Sequence, residues 1–482
     1  FAGANYSHVD GTETWNNENY QFTQSLFDRE SYSKNSYRNH QEYMQFRYQN
    51  QKGKRYWVGK FTLVNLSTPR NASSGFAKES TETDVFSNIR KKSLSPKIDL
   101  NANLPLSKNQ TLTLGVHGKY SANSYHRLYQ EQPFKTMTDE DEKALSFQLS
   151  AIYNYFSQKH SLSMELFHYH DVWNADYSGN CELWQHLWKG ESLAFFSYNF
   201  QASRRLSLKT RIGLDWLQYH LHGDNSFSQL SPRINTNVQY QLNKGMLLWS
   251  FNFVNSNHGM DVINRAMIQV NSHMMEKGMP ELKKSHDINT YLYYMGRFNR
   301  LSVSAIGQFR YNHHPVTDDY YLDEANGKIV KTYSNGGNAQ YYSAILALQY
   351  KLCKFANLSG DIRYNHAEVK TTWSKHNNNL TGNLGLNMFM GDFALKPYLH
   401  FGKKSLDEAA LVISKTPIDY GMSCSYSRGN LYVELQAASP FKKQEKQYWL
   451  DLPIYSYSKS IKDQTASQYA SIKVAYSFDF GR

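Results

Sequence analysis

Two His-x-His pairs, His168 with His170 and His220 with His222, have the residue type and spacing that suit a transition metal, and Asp171 and Asp224 lie beside them. The strand count developed below puts the pairs on strands two apart, roughly 10 Å from each other. That is too far for one mononuclear site, and polar residues at a loop edge would look the same, so neither metal nor cofactor is expected. A second group occupies 171–190, where Trp173, Tyr177, Trp184 and Trp188 accompany Asp176, Glu182 and His186. Exposed aromatics beside carboxylates could grip a sugar, a peptide or a chelate, while an aromatic girdle or a self-packing loop would use the same residues. A third group, 316–335, holds Asp318, Asp319, Tyr320, Tyr321, Asp323 and Glu324 and reads as an outward β-hairpin turning at Asn326 and Gly327. Its spacing does not match an EF-hand loop, and Tyr320 and Tyr321 join the candidate substrate contacts. No Gly-x-Ser-x-Gly, His-Glu-x-x-His, P-loop or dinucleotide fingerprint is present, so the chain is not expected to be an enzyme.

Whatever these groups do, strands position them. In 206–216, Leu206, Leu208, Ile212, Leu214 and Trp216 share one face, and Lys209, Arg211 and Asp215 share the other. Residues 342–352 set Tyr342, Ala344, Leu346, Leu348, Tyr350 and Leu352 against Ser343, Gln349 and Lys351, and 145–155 alternate in the same way. In the last strand, Ile472, Val474, Tyr476, Phe478 and Phe480 oppose Lys473 and Asp479. Strands of a soluble sandwich run about 5 to 6 residues. These run to about 10 or more, the length a tilted strand needs to cross a bilayer. A Lys or Arg on the lipid face costs about 2–4 kcal/mol at mid-bilayer, so the charged face must look into the lumen. Lys209, Arg211, Asp215, Arg310, Asp361 and Arg363 are the expected lumen-lining residues.

Composition agrees. Aromatics make up 15% of the chain, yet the hydrophobic fraction is only 40%, as expected of a barrel with lipid outside, water inside and aromatic girdles at both interfaces. No stretch is long and apolar enough for a membrane helix. The net charge of +12 is scattered and belongs to no nucleic-acid module, so it fits an anionic lipid surface or a watery lumen, or has no specific meaning. Cys181, Cys353 and Cys424 form no disulfide or zinc pattern.

Short turns at 51–55, 107–110, 157–160, 243–245, 390–392 and 427–430 alternate with long polar stretches at 66–93, 122–142, 170–190, 256–284, 313–339 and 438–465, which read as extracellular loops. The expectation is an all-β, antiparallel up-and-down transmembrane barrel over 1–482. About 20 strands are visible of an expected 22, with an N-terminal plug and the first strands lying outside this sequence.

Residues 229–312 carry a more specific pattern. Leu230, Pro232 and Arg233 open a strand to Leu242, and Lys244 and Gly245 turn it into Met246–Phe253. Gly278, Met279, Pro280, Glu281 and Leu282 then form a loop before two more strands. This resembles the barrel of TonB-dependent receptor-like outer-membrane proteins of the Bacteroidetes type, as does the ending Tyr476-Ser477-Phe478-Asp479-Phe480-Gly481. Met279 stands in place of that pattern's Asn, Lys283 and Lys284 in place of its Pro-Glu, and Asn257, His258 and Gly259 where an Arg-Pro is common. The resemblance implies a Gram-negative outer-membrane receptor that imports a scarce nutrient, with outer-membrane lipid, the TonB complex and a small-molecule, peptide or glycan substrate as partners. A surface binding or scaffold barrel, or a passive channel, is the alternative.

Overall fold

A computed structural model describes residues 2–10, 14–21, 28–79, 81–224, 226–256, 258–441, 445–463 and 468–477. Twenty-five strands form one sheet. Ten of those strands follow one another in pairs along five staves, 2–10 with 14–21, 393–400 with 403–406, 413–416 with 419–428, 431–438 with 445–451 and 456–463 with 469–476, so the described residues form 20 staves. Neighbours are antiparallel throughout, and the sheet returns on itself where Thr14–Gln21 pairs with Ser456–Asp463. On the side nearer the short turns, Ala2–Asp10 pairs with 38–46 and Tyr469–Tyr476 with 431–438. Among the described residues no register joins these two segments to each other.

Alternation sets the facing. Leu214 and Trp216 are 51% and 48% exposed, while Asp215 between them is fully buried. Leu145, Phe147 and Leu149, then Leu346, Leu348 and Tyr350, then Ile472, Val474 and Tyr476 are exposed in the same manner. These exposed aliphatic and aromatic side chains form an apolar belt on the outer face. Lys473 alternates with it on the inner face, 5.9 Å from the Tyr432 ring. Asp479, the other lumen-facing charge expected on this strand, lies outside the described residues, as do Phe478, Phe480 and Gly481.

All six short turns lie where they were expected, between paired strands. The long polar stretches are a different matter. Residues 66–93, 122–142 and 170–190 are mostly strand, because the staves Asp28–Lys52, Arg55–Lys78, Glu82–Ser107, Gln110–Glu131 and Phe134–Phe156 run 22 to 26 residues and His160–Gly179 and Leu183–Gln201 run 20 and 19. At about 3.3 Å per residue they rise well beyond a bilayer's hydrocarbon. Beyond the apolar belt both faces meet water or protein, so the apolar–polar alternation lapses while the backbone ladder continues. Absence of the pattern there marks a change of solvent rather than a loop.

The wall is lower on the other flank. Gly245–Ser256, Ser285–Phe298 and Leu301–His313 have 12 to 14 residues, and the chain between the first two, and again after the third, enters a separate four-stranded sheet.

The belt yields a direct test. Leu214→Lys should destabilise the barrel by about 2–4 kcal/mol, whereas Ser207→Lys, on the inner face of the same strand, should change stability by about 0.5 kcal/mol or less. Urea titration of the protein in lipid vesicles measures both.

Candidate functional site: a capped mouth above a charged lumen

The second sheet comprises Met267–Gln269, Met274–Lys277, Thr317–Asp323 and Lys328–Ser334. The last two form the hairpin expected from Asn326 and Gly327, and Gly327 takes φ +61°, a conformation glycine adopts without strain. Rather than projecting outward, the hairpin folds against the wall. Met274–Lys277 pairs with it in parallel, Met274 opposite Ile329 and Glu276 opposite Lys331. The two loops, 257–284 and 314–337, thereby become one cap.

Apolar burial holds the cap on two sides. Met260, Ile263, Ala266 and Leu282 pack with Ala175, Tyr177, Leu187, Leu217, Tyr219 and Leu221 of the wall. Tyr320 and Ile329 pack with Ala339, Val369, Leu411, Leu450, Leu452 and Tyr455. On the third side the contact is polar. Arg29 Nη1 donates to Glu131 Oε1 at 2.7 Å and to Ser272 Oγ of the cap at 3.1 Å. Ser272 Oγ donates to Glu131 Oε2 at 2.7 Å, and His273 Nε2 lies 2.7 Å from Glu79 Oε1. Contact with three sectors of the rim carries the cap across the mouth.

Burial opposes the ionised form of Glu131, yet hydrogen bonds from Arg29 and Ser272 outweigh it and hold the carboxyl below its ordinary value.

Below the cap the lumen is lined with ion pairs. Asp215 Oδ2 accepts from Arg233 Nη2 at 2.7 Å and from Lys284 Nζ at 2.8 Å, and Arg233 also reaches Glu191 at 3.2 Å. The Asp215 and Lys284 side chains are both fully buried. Lys284 closes the 257–284 loop, so this pair ties the cap's root to the wall.

The expected lumen residues find partners here. Arg211 Nη2 donates to Glu165 Oε2 at 2.5 Å and its guanidinium lies 3.5 Å from the centre of the Phe195 ring. Arg310 binds Asp287 at 2.8 Å and approaches Glu408 at 3.5 Å. Asp361 and Arg363 are brought together at 3.7 Å. Lys209 is exposed on the same strand face as Arg211. The partners Glu165, Glu191 and Asp287 had not been singled out, and they follow from inward parity once the register is known. Lys284 had stood out as a departure from the family pattern, with nothing in the sequence to indicate its partner.

The six expected substrate contacts lie on strands, not in loops, and divide. Trp173 and Tyr177 face inward and pack beneath the cap, and Lys189 Nζ lies 5.3 Å from the Trp173 ring. Tyr320 is buried against Tyr455, whereas Tyr321 is 42% exposed. Trp184 and Trp188 point outward from the barrel. Trp188 stands opposite His220 and 5.5 Å from the His170 ring, so an indole separates the two His-x-His pairs. Each pair instead makes a local contact: His168 Nδ1 is 3.0 Å from Ser192 Oγ, and His220 Nδ1 is 3.1 Å from Ser226 Oγ.

Comparison with solved structures places this architecture. The copper transporter OprC superposes with a TM-score of 0.60 at 10% identity, covering 94% of this chain and 80% of that one. The chain has the fold of outer-membrane transporter barrels. The ferric citrate transporter FecA, in its unliganded form, gives 0.55 at 9% identity over 93% and 78% of the two chains. The siderophore receptor PirA from Pseudomonas aeruginosa gives 0.52 at 10% identity over 93% and 80%. No family model matches the sequence, and no curated protein does.

Two outcomes follow from the ties that hold the cap. Lys284→Ala leaves a buried carboxylate with one partner fewer and should cost about 3–5 kcal/mol. The double variant D215N/K284M should recover much of that loss, read as the rate of proteolysis within 257–284. The second tie depends on pH. A carboxyl whose folded pKa is depressed contributes stability that is complete above its ordinary value, 4.5 for Glu131, and that is lost as pH falls through the lower folded value. Amide protection of 267–277 should therefore hold at neutral pH and weaken below about pH 4. In Glu131→Gln it should already be weak at neutral pH.

Proposed function

We propose that this chain is the barrel of an outer-membrane receptor of the TonB-dependent type that imports a scarce nutrient. The carrying observation is the pairing of a cap fixed across the mouth with a lumen lined by charged side chains. A scaffold barrel needs neither a polar passage nor a cover over it, and a passive channel gains nothing from a mouth closed by packed apolar clusters. The fold likeness to carriers of copper, ferric citrate and siderophores supports the same reading and makes metal ions and their chelates the first substrates to try, ahead of peptides and glycans.

In this mechanism the outer rim captures the solute and the cap yields. The solute then descends past Arg211, Asp215, Arg310, Asp361 and Arg363, with Lys209 nearer the short-turn end. Exposed Tyr321 on the hairpin is a fitting first contact, while Trp173, Tyr177 and Tyr320 hold the cap in place. Trp184 and Trp188, turned outward, fit an aromatic girdle. Energy would come from the TonB complex through the N-terminal plug that the family resemblance implies, and the first strands belong to the same proposal.

The test is accumulation in cells. Strains with and without the gene, starved in turn for labelled metal chelates, peptides and glycans, should differ for one of them, and a protonophore should abolish the difference. Accumulation indifferent to the protonophore would make the protein a passive channel. No difference for any solute would favour a binding or scaffold role.

A further inference from the structure

One flank of the lumen has a charge arrangement that strand pairing alone disfavours. Across the staves 28–52, 55–78, 82–107, 110–131, 134–156 and 160–179, one row of directly opposed residues reads Arg47, Lys60, Asp99, His117, Gln148, Tyr169. The next row reads Gln45, Thr62, Lys97, Lys119, Ser146, Asp171. Arg47 therefore sits opposite Lys60, and Lys97 opposite Lys119. Like charges placed directly across a ladder destabilise it, and here two such pairs lie side by side.

These side chains face a cavity of about 590 Å³, lined by Arg47, Lys60, Lys97, Lys119, Asp99 and Asp171 among others. Its two carboxylates are already engaged. Asp99 Oδ1 lies 3.2 Å from Lys97 Nζ and 2.8 Å from His117 Nδ1, and Asp171 lies 3.4 Å from Lys189. Asp99 is buried behind the row, whereas Arg47, Lys97 and Lys119 are exposed to the lumen. Lys97 is thus paired with Asp99, and Arg47 donates to Gln49. The described lining still carries Arg47, Lys60, Lys97 and Lys119 against Asp99 and Asp171, flanked by the hydroxyl and amide donors of Ser146, Gln148 and Tyr169. A water-filled recess of one sign, bounded by protein, concentrates counter-ions.

We propose that this wall is a binding site for a multiply charged anion, a small solute bearing carboxylate or phosphate groups. The inference rests on the import reading and narrows its substrate class. Charge-assisted hydrogen bonds from Lys60, Lys97, Lys119 and Arg47 would hold the oxyanions, and the bound anion would relieve the repulsion within each basic pair.

Calorimetry on the purified protein in detergent tests it, with tricarballylate, pyrophosphate and glucose as probes. Heat-dependent gel mobility confirms that each variant is folded. Binding of at least one anion but not of glucose is expected, and which anion binds separates a carboxylate site from a phosphate site. The variant K60Q/K119Q should weaken that binding about tenfold or more, while K108Q, in a short turn, should leave it unchanged. The double variant should also melt at a higher temperature, because the repulsion is gone. Folded wild-type protein that binds neither anion would overturn the proposal, as would anion binding equal in K60Q/K119Q. The import reading fails separately. Anion binding in a protein that fails the accumulation test keeps this site and removes import, whereas import of a neutral solute untouched by the double variant does the reverse.

Discussion

A strand in hydrocarbon has no water to satisfy its backbone, so every N–H and C=O must find a neighbouring strand. That requirement shapes the rest of this molecule. Along most of the wall the strands are paired on both sides, whereas among the described residues Ala2–Asp10 and Tyr469–Tyr476 each have a register on one side. The requirement also permits almost any inward side chain, because the ladder and not the side chains satisfies the backbone. Sheet closure between 14–21 and 456–463 lies in the outer segments, where the wall stands clear of the belt. The same freedom lets the inner face carry Asp215, Lys284, Arg233 and Glu191 as one charged group without cost to the apolar outer face.

How much could be read from residues alone follows from the same physics. Where one face meets lipid and the other water, composition must alternate, and Leu214-Asp215-Trp216 announces its own orientation. The short turns were equally plain, since glycine, asparagine and lysine interrupt the alternation over two or three residues. Above the lipid that pressure vanishes. Residues 170–190 read as loop because Trp173, Asp176 and His186 follow no period, yet their backbones pair as regularly as those below. The hairpin at 326–327 was legible as a turn, but its direction was not, because Ile329 and Val330 look alike whether they cover a cap or a free loop. Pairings such as that of Lys284 with Asp215 depend on contacts 69 residues away in sequence and leave no local trace.

The cap and the lumen wall use charge in opposite ways. At the rim and at the cap's root, opposite charges are matched and buried, which fixes geometry: Arg29 with Glu131, Lys284 with Asp215. Inside, along staves 28–131, like charges stand together and reach into open space. Matched pairs hold a structure still. A surplus of one sign leaves room for a counter-charge, which the proposed anion would supply.

One further consequence lies in the parallel register between Met274–Lys277 and Lys328–Ser334. These segments come from two different wall hairpins, yet their backbones are bonded to each other. Neither can swing alone without tearing main-chain hydrogen bonds, so the two behave as a single leaf hinged at both roots. A displacement of either edge is therefore carried to the other, and the cap moves as one body rather than as two separate flaps.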